Sequence, residues 1–582
     1  MAKRFFSYTK GYRFLSIICP IMIFIDVQIS LQIPKVMGEV ITLLYSVTKD
    51  NITDQLLSLL LKMLLLCVST LLVGYIAARC SAIASMGFGA NLRRELFFKI
   101  QSLSFENIDK LKISSLITRM TNDVSSIQSV YSQTIVVFIK GPFMLVSALI
   151  EARKISTELS DVFYVALPAI VIVLTIMAVM AVPLFKKMLK ATDRFNGVLR
   201  GNINGIRVVK SFVREEHEKE KFHVSNTEVM NLNVKAQKIV LLITPAIMIV
   251  IYGCLIASNI RGSELIITGA GMDIGELTAF TTYISEVLSS FMTIIMVFIS
   301  MIMAKASIDR IKEVFNEEPS INDYDADKDL KVKNGSIEFR NVTFKYGEDA
   351  VRNALENIDF KIESGETIGV IGATGSSKST LIQLIPRIYD ATEGEVLIGG
   401  ENVKNYTFKN LRNEIAVVLQ QNLLFSGSIK ENIRWGKLDA TDEEIENAAK
   451  AAQAHDFISE FEKGYDTDLG QGGNNVSGGQ RQRICIARAL VRKPKILIFD
   501  DCTSAVDTAT DAKIRTALRG EEYKDITKLI IAQRITSIMD ADRIIVIDGG
   551  KIDSIGTHSE LLTKSEIYHE IFVSQQEGVL AQ

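Results

Sequence analysis

The sequence has almost no net charge, with 65 Lys and Arg against 67 Asp and Glu in 582 residues, and it has no run of basic residues. A nucleic-acid ligand needs a local basic excess, so nucleic acid is excluded as a partner. Cysteine is scarce as well. Cys19, Cys67, Cys80, Cys254, Cys485 and Cys502 are scattered without the spacing of a metal site or a disulfide framework, and they read as packing residues. Also missing is a small-residue cleavage site after the first apolar run, at 14–33. Because further apolar runs follow it, this run reads as a membrane span rather than a removed leader.

What is present divides the chain in two. It is too long for one hydrophobic core, and its 48% hydrophobic content averages an apolar first part and an ordinary soluble second part. The expected layout is a transmembrane domain over 1–316, a polar proline-containing linker over 317–334, and an α/β domain over 335–582. Six spans near the 20 residues needed to cross a bilayer are expected at 14–33, 56–78, 130–150, 162–185, 239–260 and 277–304. Those at 162–185 and 239–260 carry no charge.

The loops near 41–54, 151–161 and 261–275 hold one, two and one basic residues, whereas the connection over 79–129 contains Arg79, Arg93, Arg94, Lys99, Lys110, Lys112 and Arg119. The connection over 186–238 is more basic still. By the positive-inside rule these two long connections, both termini and the soluble domain are expected in the cytoplasm, with the protein in the plasma or inner membrane. Both connections keep a helix-compatible pattern, so the spans are expected to run on as helices beyond the bilayer. Residues 1–13 read as a short amphipathic helix at the inner surface.

Pro20, Pro34, Pro142, Pro168, Pro183 and Pro245 fall in or beside spans, as ordinary membrane-helix content or as bends used in a conformational cycle. Intramembrane charge is costly and points to function. Asp26, Lys140 and Glu286 either line a cavity for a cationic or amphipathic substrate, or neutralise one another, or meet a second subunit.

In the soluble part, IGVIGATGSSKST (368–380) reads as a strand, a tight loop and a helix start. Loop N–H groups and a helix N-terminus suit phosphates, Lys378 supplies a point charge, and the Ser379 hydroxyl suits Mg²⁺. Gly372, Gly375, Ser376 and Thr380 complete the loop. Ser377 stands where the pattern G-x-x-x-x-G-K-[ST] has glycine, so its Cβ is expected to strain the loop or crowd the phosphates. About 100 residues on comes VSGGQRQR (476–483), then ILIFDD (496–501), four apolar residues ending in paired carboxylates that read as a buried strand delivering charge to Mg²⁺.

This order and spacing resemble the nucleotide-binding domain of ABC transporters. The membrane half is similar to six-span ABC exporters at SLITRMTNDV (115–124) and GIRVVKSFVREE (205–216). The resemblance implies a half-transporter that uses ATP and Mg²⁺, and that pairs, because each ATP lies between the P-loop of one subunit and the Ser-Gly-Gly-Gln of the other. It further implies that Tyr346 stacks on adenine, that Asp500 and Gln420 attend Mg²⁺, that Gln420 also meets the attacking water, and that Ser477, Gly478, Gly479 and Gln480 serve the partner's ATP. Asp507 matches the carboxylate that communicates between the two sites.

Two departures stand out against that pattern. Asp501 occupies the place of the Glu that polarises water, and Gln533 the place of the His that contacts the γ-phosphate. A carboxylate displaced by about an ångström costs on the order of 100-fold in rate, and an amide cannot share a proton as imidazole can. All three alterations, at 377, 501 and 533, fall on the P-loop side, while the Ser-Gly-Gly-Gln side is intact. The resemblance is therefore to the degenerate-site subunit of bacterial heterodimeric multidrug exporters. Lipid or peptide export, and a regulatory or gating role, are the alternative readings.

Overall fold

The computed structural model describes residues 7–45, 52–269, 271–347, 350–501 and 507–580. The chain forms two compact units, one made of 1–101 with 114–316 and the other of 102–113 with 317–582.

Among the described residues of the first unit, six helices are long and apolar enough to cross a membrane: Arg13–Tyr45, Ile52–Gln101, Ile113–Ile155, Thr157–Asn204, Glu215–Ile267 and Ile274–Asn316. Each contains one expected span, and their 33 to 53 residues exceed what a bilayer requires. The first breaks at Leu31, and Pro20, Pro142, Pro168, Pro183 and Pro245 lie inside helices. The first helix packs mainly on the second, the third on the sixth and the fourth on the fifth. Two glycines let the first and sixth helices touch. A Cβ on Gly275 would sit 2.1 Å from the Gly38 carbonyl oxygen, closer than any side chain tolerates. About two turns away the buried Tyr283 hydroxyl donates to the Leu31 carbonyl at 2.7 Å.

The third helix includes two π-helical turns, Arg119–Asp123 and Thr134–Phe138. The first presents buried Asp123 to the sixth helix, where Ser307 Oγ and Arg310 Nε each donate to it at 2.8 Å. Residues 8–12 depart from the surface helix expected over 1–13. Ser7 is helical, residues 8–12 form turns with Gly11 at φ +89°, and the next helix starts at Arg13. These turns are held by Asn91, whose amide donates to the Tyr8 and Lys10 carbonyls at 2.8 and 3.0 Å. Residues 1–6 lie outside the described part.

The second unit includes a segment expected in the membrane domain. Residues 102–113 contain a one-turn-and-more helix, Phe105–Leu111, capped by Ser104 and Asn107. Asn107 Nδ2 donates to Glu317 and to the Glu318 carbonyl, both at 3.0 Å, and Lys110 pairs with Glu317. Tyr389 donates its hydroxyl to Asp109 at 2.7 Å. These partners lie more than 200 residues away in sequence, which is why periodicity alone assigns the segment to its neighbours.

The sheet that builds the site is six-stranded. Its spatial order is Lys551–Gly556, Arg543–Asp548, Thr367–Ile371, Thr527–Ile531, Ile496–Asp500 and Ile415–Val418, parallel except for the antiparallel first pair. Every residue of Ile496–Asp500 and Thr527–Ile531 is buried, as befits strands covered on both faces. A separate antiparallel sheet joins Ile337–Phe344 to Leu355–Ile362 and Glu393–Ile398.

Candidate functional site

In a parallel sheet, ligands bind beyond the carboxyl ends of the strands. Here Ile531 pairs with both Val370 and Asp500, and Val418 with Phe499, so four neighbouring strands end together. Beyond those ends lie the glycine-rich loop, Gln533, Asp501 and Gln420. Register alone brings four sequence-distant motifs to one edge.

The loop after Thr367–Ile371 depends on glycine at two points. A Cβ on Gly372 would sit 2.0 Å from the Ile547 carbonyl oxygen, and Gly375 has φ +85°. Ser377 has φ +72° and ψ +25°, the left-handed region, as the residue before the helix Lys378–Leu384. The serine therefore adopts the backbone conformation that glycine would take without cost, at about 1–2 kcal/mol of strain. Lys378 Nζ donates to the Gly372 and Ala373 carbonyls, both at 2.9 Å, and to Ser376 Oγ at 3.3 Å, so the ammonium sits over the loop. Burial holds its pKa below the usual lysine range, against the attraction of Asp501 and Asp500.

Ser379 Oγ donates to Asp500 Oδ1 at 2.9 Å. A hydroxyl and a carboxylate thus stand side by side at the loop, hard oxygen donors of the kind Mg²⁺ takes together with nucleotide phosphates. The chemistry of this pair fits the cation. Burial raises Asp500 above the usual aspartate range and repulsion from Asp501 adds to it, while Ser379 and Lys378 oppose.

Asp501 follows at φ +48°, its N–H donating to the Ile531 carbonyl at 3.0 Å. Gln533 Nε2 donates to Asp501 Oδ2 at 2.6 Å, and Gln420 Nε2 reaches the same oxygen at 3.3 Å. The two residues that depart from the family pattern therefore bond each other. Burial raises Asp501, opposed by the bonds from Gln533 and Gln420 and by Lys378.

Tyr346 Oη lies 3.0 Å from Thr380 Oγ1 and donates to Gln383 at 3.2 Å, which places a half-exposed ring beside the loop helix. Its ring meets Tyr389 edge-on at 5.3 Å. Tyr389 and Gln383 carry no motif and were not foreseen; the tyrosine eleven residues beyond Lys378 gives no signal until the sheet is assembled.

Ser477 caps the helix Gly478–Leu490 by a capping box. Its Oγ accepts from the Gln480 N–H at 3.2 Å, and Gln480 Oε1 accepts from the Ser477 N–H at 2.9 Å. The exposed Ser477 hydroxyl keeps its own proton to donate, and Gly478 and Gly479 contribute no side chains of their own at the start of this 13-residue helix. Asp507 caps the helix Thr508–Leu518, accepting from the Thr510 N–H at 2.9 Å, and this bond lowers its pKa. Residues 502–506, with Cys502, lie outside the described part.

Of the charges expected in spans, the buried Asp26 and the exposed Lys140 pair at 2.8 Å. Glu286, half-buried on the sixth helix, interacts electrostatically with the same ammonium. The structure thus brings all three into one neighbourhood.

Comparison with known proteins agrees on the family. The profile of the ABC transporter transmembrane region matches residues 16–292, and that of the ABC transporter domain matches 355–504. The chain is similar to the uncharacterized ABC transporter ATP-binding protein YfiB of Bacillus subtilis (strain 168), 37% identical over 576 residues and covering 98% of each. YgaD of the same organism, provisionally named a multidrug export ATP-binding/permease protein, is 33% identical over 501 residues, 83% of each. A solved bacterial Atm1-family ABC exporter with ATP bound superposes with a TM-score of 0.82 at 24% identity, covering 97% of this chain and 99% of the other. That last likeness is one of fold.

Two predictions follow from the loop and the carboxylates. Ser377→Gly relieves the left-handed strain, and the soluble unit should gain about 1 kcal/mol in denaturant unfolding after the entropy that glycine adds to the unfolded chain; an unchanged midpoint would contradict the strain. Because Asp500 and Asp501 are both raised, protons compete with Mg²⁺ at a higher pH than for free aspartate, near 4. Mg²⁺-dependent ATP binding, titrated from about pH 8 to about pH 5, should begin to weaken above the ordinary aspartate range. Gln533→Leu removes a bond that lowers Asp501, so the midpoint should move upward; a downward shift would refute the assignment.

Proposed function

The chain belongs to the ABC transporter family, as an exporter-type half-transporter with fused transmembrane and nucleotide-binding domains, and from that premise we propose that it is the degenerate-site subunit of a heterodimeric exporter. Its own P-loop binds ATP but turns it over slowly, and its Ser477–Gln480 segment completes the catalytic site of a partner that carries Glu and His at the positions of Asp501 and Gln533. The observation that carries this reading is the 2.6 Å bond from Gln533 to Asp501. A carboxylate that activates water needs a free lone pair directed at it. Oδ2 of Asp501 instead accepts from two amides, on a side chain one methylene short.

Nucleotide binding is supported by the rest of the site. Lys378 would meet the β/γ oxygens, Gly375, Ser376, Ser377 and Thr380 would line the phosphates with N–H groups, and Tyr346 would stack on adenine. Mg²⁺, held by Ser379 and Asp500 with Gln420 nearby, would neutralise phosphate charge. The partner would deliver its own Ser-Gly-Gly-Gln from the opposite side, with Asp507 at the shared boundary. Sandwiching of ATP between subunits would then drive the membrane helices from inward-facing to outward-facing.

The substrate proposed is an amphipathic compound exported from the cytoplasm across the cell membrane, with the soluble unit and both termini cytoplasmic. Two observations support this reading, the multidrug name of YgaD and the polar neighbourhood of Asp26, Lys140 and Glu286. Asp26 satisfies Lys140, which leaves Glu286 as surplus negative charge for a cationic amphiphile.

ATPase measurements test the pairing. The purified chain alone should hydrolyse ATP slowly, and co-expression with a half-transporter carrying Glu and His should raise the rate by about 100-fold; rapid turnover by this chain alone would sink the heterodimer. For the substrate, Glu286→Gln should reduce export of a lipophilic cation about tenfold, the scale of one charge-assisted contact, while sparing a neutral dye of similar size. Equal loss of both would remove Glu286 from recognition.

A further inference from the structure

The C-terminal helix Glu566–Leu580 follows an amphipathic stripe. Tyr568 is fully buried, and Ile567, Ile571 and Phe572 pack on the core of the soluble unit. The next positions on that stripe, three and four residues on, include Gln575, where the pattern calls for another apolar side chain. Its polarity has a use. Gln575 Nε2 donates to the Gln533 carbonyl at 2.7 Å, and Gln575 Oε1 accepts from the Ile535 N–H at 2.9 Å.

One side chain thus clamps both sides of the loop that carries Gln533. The loop follows the strand Thr527–Ile531, and its backbone direction sets where the residue-533 side chain points. Gln533 in turn bonds Asp501, whose second amide partner is Gln420. A continuous chain of hydrogen bonds runs from the C-terminal helix through Gln533 to the site.

We infer that Gln575 is a positioning residue, which locks the loop at Gln533 and thereby holds the γ-phosphate side of this chain's ATP site in register. The clamp grips the backbone of residue 533 and is indifferent to whether Gln or His stands there. It supplies the site with its geometry from a helix that touches no nucleotide. The inference rests on the assignment of Gln533 to the γ-phosphate made above.

The test compares ATP with ADP, which differ only in the group that the loop would contact. Purified full-length chain, with Mg²⁺, is titrated with each nucleotide in competition with a fluorescent ATP analogue. Gln575→Leu keeps the size of the side chain and loses both bonds. It should weaken ATP about tenfold, the scale of one hydrogen bond to a charged oxygen, and leave ADP within about twofold. Gln575→Glu keeps the acceptor for Ile535 and loses the donor to Gln533, so it should fall between. Loss of ATP and ADP affinity together, as in general loosening of the fold, or no change in either, would overturn the positioning role. An unsubstituted chain that binds ATP and ADP equally would remove Gln533 from the γ-phosphate and overturn the clamp with it, and that failure is visible before any substitution is made.

Discussion

The parallel pairing of Thr367–Ile371, Thr527–Ile531, Ile496–Asp500 and Ile415–Val418 is the constraint from which the site follows. Hydrogen-bond register fixes how far each strand extends, and so fixes the loops relative to one another. Four segments spread from Gly372 to Gln533 become neighbours without any of them attracting the others. The burial of Ile496–Asp500 does a second job. It holds Asp500 and Asp501 where charge is costly, so each needs a compensating partner. Asp500 finds the Ser379 hydroxyl, and Asp501 finds two amides.

That second solution separates this chain from the pattern it otherwise follows. A Glu and a His would present a longer carboxylate and a group able to exchange a proton. Here Gln533 and Gln420 both donate to Oδ2 of Asp501, and under the proposed function this pairing is the reason that the site would turn ATP over slowly. Meanwhile Ser477 and Gln480 cap the start of a 13-residue helix, the segment that the proposed function assigns to the partner's ATP. One face of the domain is altered and the other intact, which is intelligible if the two faces serve different ATP molecules.

Much of this was legible in the sequence, for identifiable physical reasons. Apolar runs of bilayer length gave the six helices, and glycine-rich loop spacing located the phosphate loop. Ser377 was suspect because the pattern calls for glycine, and its φ of +72° supplies the reason. What could not be read depends on contacts between distant segments. The helix Phe105–Leu111 has a readable cap, but its membership in the soluble unit comes from Glu317 and Tyr389. The turns at 8–12, within the helix expected over 1–13, depend on Asn91, which bonds the Tyr8 and Lys10 carbonyls. Gln575 looks like any solvated glutamine until the loop at Gln533 is seen beside it. For Asp26, Lys140 and Glu286 the sequence left open whether they neutralise one another, and the helix packing supplies the pairing of Asp26 with Lys140.

The proposed division of labour between two ATP sites can be tested directly by covalent trapping. In the complex assembled with a partner carrying Glu and His, turnover in the presence of orthovanadate and a photoactivatable ATP analogue leaves the label on whichever P-loop has hydrolysed nucleotide. Labelling confined to the partner is the result expected for a chain whose Asp501 and Gln533 are occupied with each other. Equal labelling of both chains would contradict it.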